Sequence, residues 1–179
     1  MPAPLLLLPG LLNTRRLWES QIADISDIAA VTVPELWRHD SIGAMAEAAL
    51  KAAPERFALG GFSMGGYVAF EILRRAPERV ERLALMDTQA TPDTAEATAR
   101  RRGFVDQTKM GRFHGVQPSL LPQIVHRSRL ADQSVIQPIV EMAADISHSQ
   151  LVVIEQSGHM TPLEKPAEVA AALRRWLTQ

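Results

Sequence analysis

Cysteine is missing from this chain. Its absence excludes a disulfide framework, a thiol nucleophile and a thiolate metal site. Charge of one sign is not in excess either. Nineteen Lys and Arg stand against twenty Asp and Glu, for a net charge of -1 and a pI near 6.5. On that balance neither nucleic acid nor an anionic membrane is expected as a partner. No apolar stretch approaches the length of a membrane span. Leu5 to Leu8 is too short for a signal peptide, no Lys or Arg precedes it, and Pro4, Pro9 and Gly10 interrupt it. Repeats, low-complexity tracts and Gly/Ser linkers are lacking too. The expected location is the cytoplasm.

What is present fits a single domain over 1–179. Hydrophobic residues make up 46% of the 179 and charged residues 22%, which is enough for one workable core. The most informative stretch is Phe57 to Gly66, Phe-Ala-Leu-Gly-Gly-Phe-Ser-Met-Gly-Gly. Phe57, Ala58 and Leu59 read as a strand buried on both faces. Tyr67, Val68, Ala69, Phe70, Ile72 and Leu73 then fall at helical spacing up to Arg75. Between them lies Gly61-x-Ser63-x-Gly65, so Ser63 is expected at a sharp strand-to-helix turn. Glycine two positions to either side relieves crowding where strand and helix lie close. Such a turn lifts the hydroxyl clear of the main chain. It also aims the Met64 amide, at the helix N-terminus, toward whatever Ser63 attacks. The competing reading is a glycine-rich turn whose serine only caps the helix. The apolar neighbours Phe62 and Met64 speak against it, since an ordinary turn favours Asn, Asp or Ser.

Around this turn the chain alternates strands and helices. Strands are expected at Leu5–Leu8, Ala29–Val33 and Val80–Met86, with a fifth at Leu151–Ile154. Helices are expected around Leu17, Trp18 and Ile22, and at Ile42–Leu50 behind a cap at Asp40 or Ser41. A last helix begins near Pro166, its inner face Val169, Leu173, Trp176 and Leu177. Asp93 with Glu96 resembles a capping box that opens another helix. From there to Ile146 the chain reads as short helices broken by glycine and proline. The alternation implies an α/β fold, a mostly parallel sheet with flanking helices. The segment 93–146 is expected to be a helical lid over the sheet's C-terminal edge, where such sheets bind ligands. The alternative is an ordinary crossover. Phe104, Phe113 and Leu120 would line an apolar pocket under a lid, or form its core.

A serine hydroxyl is a weak nucleophile and needs a base. Of five histidines, His39, His114, His126 and His148 read as surface residues. His159 differs: it follows Gly158 directly after the fifth strand, at the same edge of the sheet as Ser63. Acyl transfer also needs donors for the developing oxyanion. The Met64 amide is one, and the loop Pro9-Gly10-Leu11-Leu12 offers a second at the Leu11 amide.

These residues resemble the α/β-hydrolase superfamily, in particular its small esterase-like and enol-lactonase-like members. The resemblance rests on residues 6–12, 60–69, 74–88 and 151–166 and covers nearly the whole chain. It implies Ser63 as nucleophile, His159 as general base, Met64 and Leu11 as oxyanion donors, a small ester or lactone as substrate, and no cofactor. One part of the pattern is missing. The family order is Ser, then Asp or Glu, then His, and the acid usually follows one more strand before the histidine. Between Met142 and Leu151 there is room for neither. A strand with its crossover takes roughly 30 residues, so a segment of that size is absent, as after an internal deletion. The best substitute acid is Asp87, at the end of the strand after the serine turn. Its competing role is to bond the loop at Thr88 and Thr91. Glu155 and Glu164 flank His159, but flanking residues rarely bond the ring well. Two functional readings follow. One is a hydrolase of small esters or lactones. The other is a catalytically impaired relative acting as a binding module or strand-exchanged homodimer, with His159 displaced by about 4.8 Å, one strand spacing, or with an open sheet edge.

Overall fold

A computed structural model describes residues 1–110, 152, 154 and 156–179. Four parallel strands form its sheet: β1 (Ala3–Leu8), β2 (Ala29–Thr32), β3 (Phe57–Phe62) and β4 (Val80–Met86), in the order β2-β1-β3-β4. The helices are α1 (Glu19–Asp24), α2 (Ile42–Ala52), α3 (Met64–Arg75), α4 (Ala95–Lys109), α5 (Thr161–Glu164) and α6 (Pro166–Thr178).

The leucine run explains the layering. Leu5, Leu6, Leu7 and Leu8 are all fully buried, yet successive strand side chains point to opposite faces. Leu6 and Leu8 pack with Met45, Ala46 and Ala49 of α2 and Val68, Ala69 and Ile72 of α3. Leu5 and Leu7 pack with Trp18, Ile25 and Phe62, and Trp176 and Leu177 of α6 close the margin. One apolar strand therefore feeds two cores, as a central parallel strand must. Ser41 caps α2, its hydroxyl accepting from the Ala44 amide at 3.3 Å.

Two features place the site. The first is level strand ends: Leu8 pairs with Gly61, and Phe62 with Met86. The loops after β1, β3 and β4 thus leave one edge side by side. Since β1 lies between β2 and β3, the winding reverses there, and the crevice at such a switch point is where α/β sheets bind ligands. The second is the docking of the chain's end. Buried Gln21 of α1 donates from its amide nitrogen to the carbonyls of Pro162 at 2.9 Å and Pro166 at 3.3 Å. Arg174 of α6 donates to both Asp27 carboxylate oxygens and to the Asp24 carbonyl, and Arg82 of β4 to the Trp176 carbonyl. These contacts hold α5 and α6 against the first third of the chain, across the sheet from α2 and α3.

Three expectations need adjustment. Thr94, not Asp93, caps α4: its hydroxyl accepts from the Ala97 amide at 3.2 Å. Asp93 is drawn away into an ion pair with Arg101 at 3.0 Å. Of the expected fifth strand, Leu151 and Val153 lie outside the described residues, while Val152 and Ile154 belong to no strand. Of the expected lid, α4 is described, and 111–146 lies outside the described residues, as do His114, His126, His148 and Glu155. Among the described residues no helix is long and apolar enough to cross a membrane.

Candidate active site

The β3–α3 connection is as tight as its sequence requires. Ser63 has φ 51° and ψ -115°, a region that costs a residue with a side chain on the order of 1–3 kcal/mol. Its neighbours hold it there. The Ser63 amide donates to the Met86 carbonyl at 2.9 Å, and the Gly66 amide and the Thr88 hydroxyl donate to the Ser63 carbonyl at 3.0 and 2.8 Å. The glycines are demanded by space. A Cβ at Gly65 would lie 2.3 Å from the Leu8 carbonyl oxygen, and one at Gly61 would lie 2.7 Å from that of Gly65.

Strained backbone gathers at this edge of the sheet. Among the described residues, four other than glycine have positive φ: Leu12, Ser63, Asp87 and Gln156. Leu12 lies in the loop after β1, Ser63 directly after β3, Asp87 directly after β4, and Gln156 three residues before His159. Strain of this kind collects at functional sites, where surrounding contacts over-determine it.

The histidine arrives from the far end of the chain. His159 Nε2 lies 2.9 Å from Ser63 Oγ. His159 is therefore not displaced out of the serine's reach. Its ring packs on Phe62, centroids 5.3 Å apart and tilted by 39°. Phe62 in turn meets Trp18 edge to face. The imidazole thus rests on a ring belonging to the serine's own strand.

Ser63, His159 and Asp87 line one cavity of about 330 Å³, together with Tyr67, Thr88, Gln89 and Arg101. Asp87 has φ 48°. It is exposed in surface area, yet protein atoms crowd its carboxyl. That crowding pushes its pKa above the usual value, against the pull of Thr161 and of the charge of His159. Glu164 adds a smaller upward push. The exposure sets the size of the effect, because water at the cavity mouth screens the charge. Among the described residues, the His159 ring's hydrogen bond is the one to Ser63; Asp87 acts on it through space.

This setting yields a prediction for Asp87→Asn. Asn tolerates positive φ, so the backbone should be kept. A carboxyl whose folded pKa is raised contributes most at low pH, and its contribution falls as pH rises through the folded value. The variant should therefore be at least as stable as wild type at pH 7 by thermal unfolding, with that advantage vanishing near pH 3. Its kcat/KM should fall about tenfold, since a nearby negative charge favours the imidazolium form. A fall in Tm at pH 7 would show that the carboxylate supports the fold instead.

The two expected oxyanion donors are less fully defined. Met64 opens α3, so its amide has no carbonyl within the helix to meet. Leu11 sits in a turn closed by the Asn13 amide donating to the Gly10 carbonyl at 3.1 Å, and its side chain is exposed. Neither residue is among those lining the cavity. The close contact of Gly65 with Leu8 and Pro9 nevertheless sets the β1 loop against the serine turn. Among the described residues no group of three or more His, Asp or Glu converges as a metal site would.

Four further residues take parts in the site that the sequence pattern did not indicate. Thr88 secures the Ser63 carbonyl. Tyr67 receives a hydrogen bond from Arg101 at 3.2 Å and lies under its guanidinium. Arg101 adds a guanidinium to the lining of the cavity. Glu164 does not bond the His159 ring; it accepts from the backbone amides on either side, Gly158 at 2.9 Å and Met160 at 3.0 Å.

Known proteins share this arrangement of elements. Residues 36–118 match a family model described as alpha/beta hydrolase fold. A pimeloyl-[acyl-carrier protein] methyl ester esterase of Pectobacterium carotovorum is 38% identical over 87 residues, a match covering 44% of this chain and 34% of that protein. The match thus spans about a third of that relative's length. A malate-bound esterase of Thermogutta terrifontis superposes with a TM-score of 0.81 at 24% identity, covering 99% of this chain and 90% of that one. The enol-lactonase of Burkholderia xenovorans gives 0.74 at 16%, covering 100% and 93%. Strand order, serine turn and these likenesses agree, and the chain has an α/β-hydrolase-like fold.

Proposed function

We propose that this chain is a cytoplasmic serine hydrolase of small carboxylic esters or lactones. The observation that carries the reading is the 2.9 Å approach of His159 Nε2 to the hydroxyl of a serine held at positive φ. That is hydrogen-bond reach for a base and its nucleophile. In this reading Ser63 Oγ attacks the acyl carbonyl while His159 Nε2 takes its proton. The amides of Met64 and Leu11 meet the oxyanion. Collapse releases the alcohol, which takes the proton back from His159. Water, deprotonated by the same nitrogen, then cleaves the acyl-serine and frees the acid. Asp87 stabilises the imidazolium through space. A cavity of about 330 Å³ is at the small end of ligand sites, which favours a compact acyl group. The segment 93–146 would act as a lid over it. Cleavage of an activated carbon–carbon bond would use the same groups.

The named relatives hydrolyse esters or a lactone by their descriptions, and this supports the reading. The alternative, an impaired binding module or strand-exchanged homodimer, is not favoured, because serine and histidine meet within one chain. The test is labelling by a fluorophosphonate probe, located by mass spectrometry. Modification of Ser63 is expected. A folded protein that takes no label at Ser63 overturns the reading.

Arg101 refines the substrate. Among the described residues it is the arginine lining the cavity, oriented by Tyr67 and Asp93. An ester carrying a second, free carboxylate would find a charge-assisted partner there. Arg101→Met is expected to raise KM for a monoalkyl dicarboxylate ester about two- to fivefold, the worth of one exposed ionic contact, and to leave a neutral ester of the same length unchanged. Equal KM changes for the two substrates would count against that role.

A further inference from the structure

We infer that Glu164 is the positioning residue that sets His159 against Ser63. This rests on the hydrolase reading above. The geometry is a clamp. Glu164 Oε2 accepts from the Gly158 amide at 2.9 Å and Oε1 from the Met160 amide at 3.0 Å. Both oxygens of one carboxylate are therefore spent on the amides of the two residues that bracket His159. Neither goes to the imidazole.

The rest of the loop closes around that clamp. The Thr161 hydroxyl donates to the Gly158 carbonyl at 3.0 Å. The Leu163 and Glu164 amides return to the Met160 carbonyl at 2.9 and 3.0 Å. α5 is one turn long, and its last residue reaches back over its own start. Glu164 is also anchored to the body of the protein, because α5 and α6 are fastened to α1 through Gln21 at Pro162 and Pro166. The path runs from a buried side chain of α1, through the α5 backbone and the Glu164 carboxylate, to the backbone of His159.

Such a device has a physical reason here. In a serine–histidine pair a third group usually orients the imidazole through its other ring nitrogen. Among the described residues, no hydrogen bond joins the His159 ring to a carboxylate. The ring is placed instead by its backbone, which Glu164 holds, and by the face of Phe62 at 5.3 Å. Charge-assisted bonds to backbone amides are short and strong, and two from one carboxylate fix direction as well as distance. Glutamine has the same shape but only one acceptor. Its amide group would face a backbone N–H, donor against donor.

The experiment compares wild type, Glu164→Gln and Glu164→Ala with one ester substrate and with the fluorophosphonate probe, below the measured Tm of each. Displacing the base by about 1 Å costs on the order of 100-fold in rate. Glu164→Ala is expected to lose about that factor in kcat, and Glu164→Gln about tenfold, with KM within twofold of wild type. The rate of Ser63 labelling should fall in parallel, because the probe needs the same base. Exogenous formate should restore part of the kcat of Glu164→Ala by refilling the two acceptor positions. Glu164→Gln keeps the volume and so reports even if Glu164→Ala unfolds. If wild type labels and turns over while Glu164→Gln keeps kcat within twofold, the clamp is overturned and the hydrolase reading stands. If wild type neither labels nor turns over, both fall.

Discussion

Ser63→Ala is expected to abolish ester hydrolysis and probe labelling while leaving the fold intact. The size of the loss follows from the role. With the proposed nucleophile gone, covalent catalysis and the proton transfer that serves it go together, and such losses run to about 10⁵- to 10⁶-fold in kcat. The remainder is the rate a base, an oxyanion site and a bound substrate supply to a water molecule. Nonadditivity sharpens the prediction. Ser63 and His159 are joined by one 2.9 Å hydrogen bond, so His159→Gln should cost about as much as Ser63→Ala, and the double variant no more than either. Stability should move little. Alanine meets the same strain as serine at φ 51°, and the bonds that hold the turn come from the Ser63 backbone, not its hydroxyl. A Tm close to wild type's with no turnover is the expected pair of results. Retained hydrolysis in Ser63→Ala would move the chemistry elsewhere in the molecule.

The second large effect is expected at Gly65, on the fold and the site together. A Cβ there would lie 2.3 Å from the Leu8 carbonyl oxygen, 2.8 Å from its carbon and 2.9 Å from the Pro9 carbonyl oxygen. All three are backbone atoms of β1 and its loop, so no rotamer change relieves the contact. α3 and β1 must part, although each lies in the core next to fully buried leucines. Overpacking of this kind costs about 3 kcal/mol, which for a chain of this length corresponds to a fall in Tm of about 10 °C. Activity should fall further than stability, because the contact that is forced apart carries the serine on one side and the Leu11 amide on the other. Gly43→Ala is the matched control. Its Cβ would meet the end of the Arg75 side chain, which can swing aside, and Gly43 is the second residue of α2. Replacing a mid-helix glycine by alanine gains roughly 0.5–1 kcal/mol, and a first-turn position gains a part of that. The two substitutions should therefore shift Tm in opposite directions, as a thermal unfolding series would show.

Some features of the site depend only on short stretches of chain, and those were legible in advance. The Gly61-x-Ser63-x-Gly65 spacing foretold the strained turn because every atom causing the strain lies within a few residues. The leucine run foretold the first strand, and the helical spacing up to Arg75 foretold the extent of α3. Thr94 displaced Asp93 as a cap because an arginine eight positions along, Arg101, competes for the Asp93 carboxylate. Pattern reasoning sees the candidate caps and not the competitor. Glu164 was passed over for a related reason. Proximity in sequence argued against a bond to the ring, and no pattern in the chain foretells a bond to the amides beside it.

By itself the sequence determined the α/β alternation, the buried β1 and β3 strands, the serine turn and the one histidine poised to meet it, since local sterics and periodicity act over a turn or two of chain. Only the tertiary structure decided that His159, 96 positions beyond Ser63, comes within 2.9 Å of it. The same holds for Arg101 and Asp87 sharing the cavity and for the clamp of Glu164 on the histidine loop. The placing of His159 and of the clamp depends on where α5 and α6 dock, and that is settled by contacts between α1 and the chain's end, Gln21 above all, which no local stretch encodes.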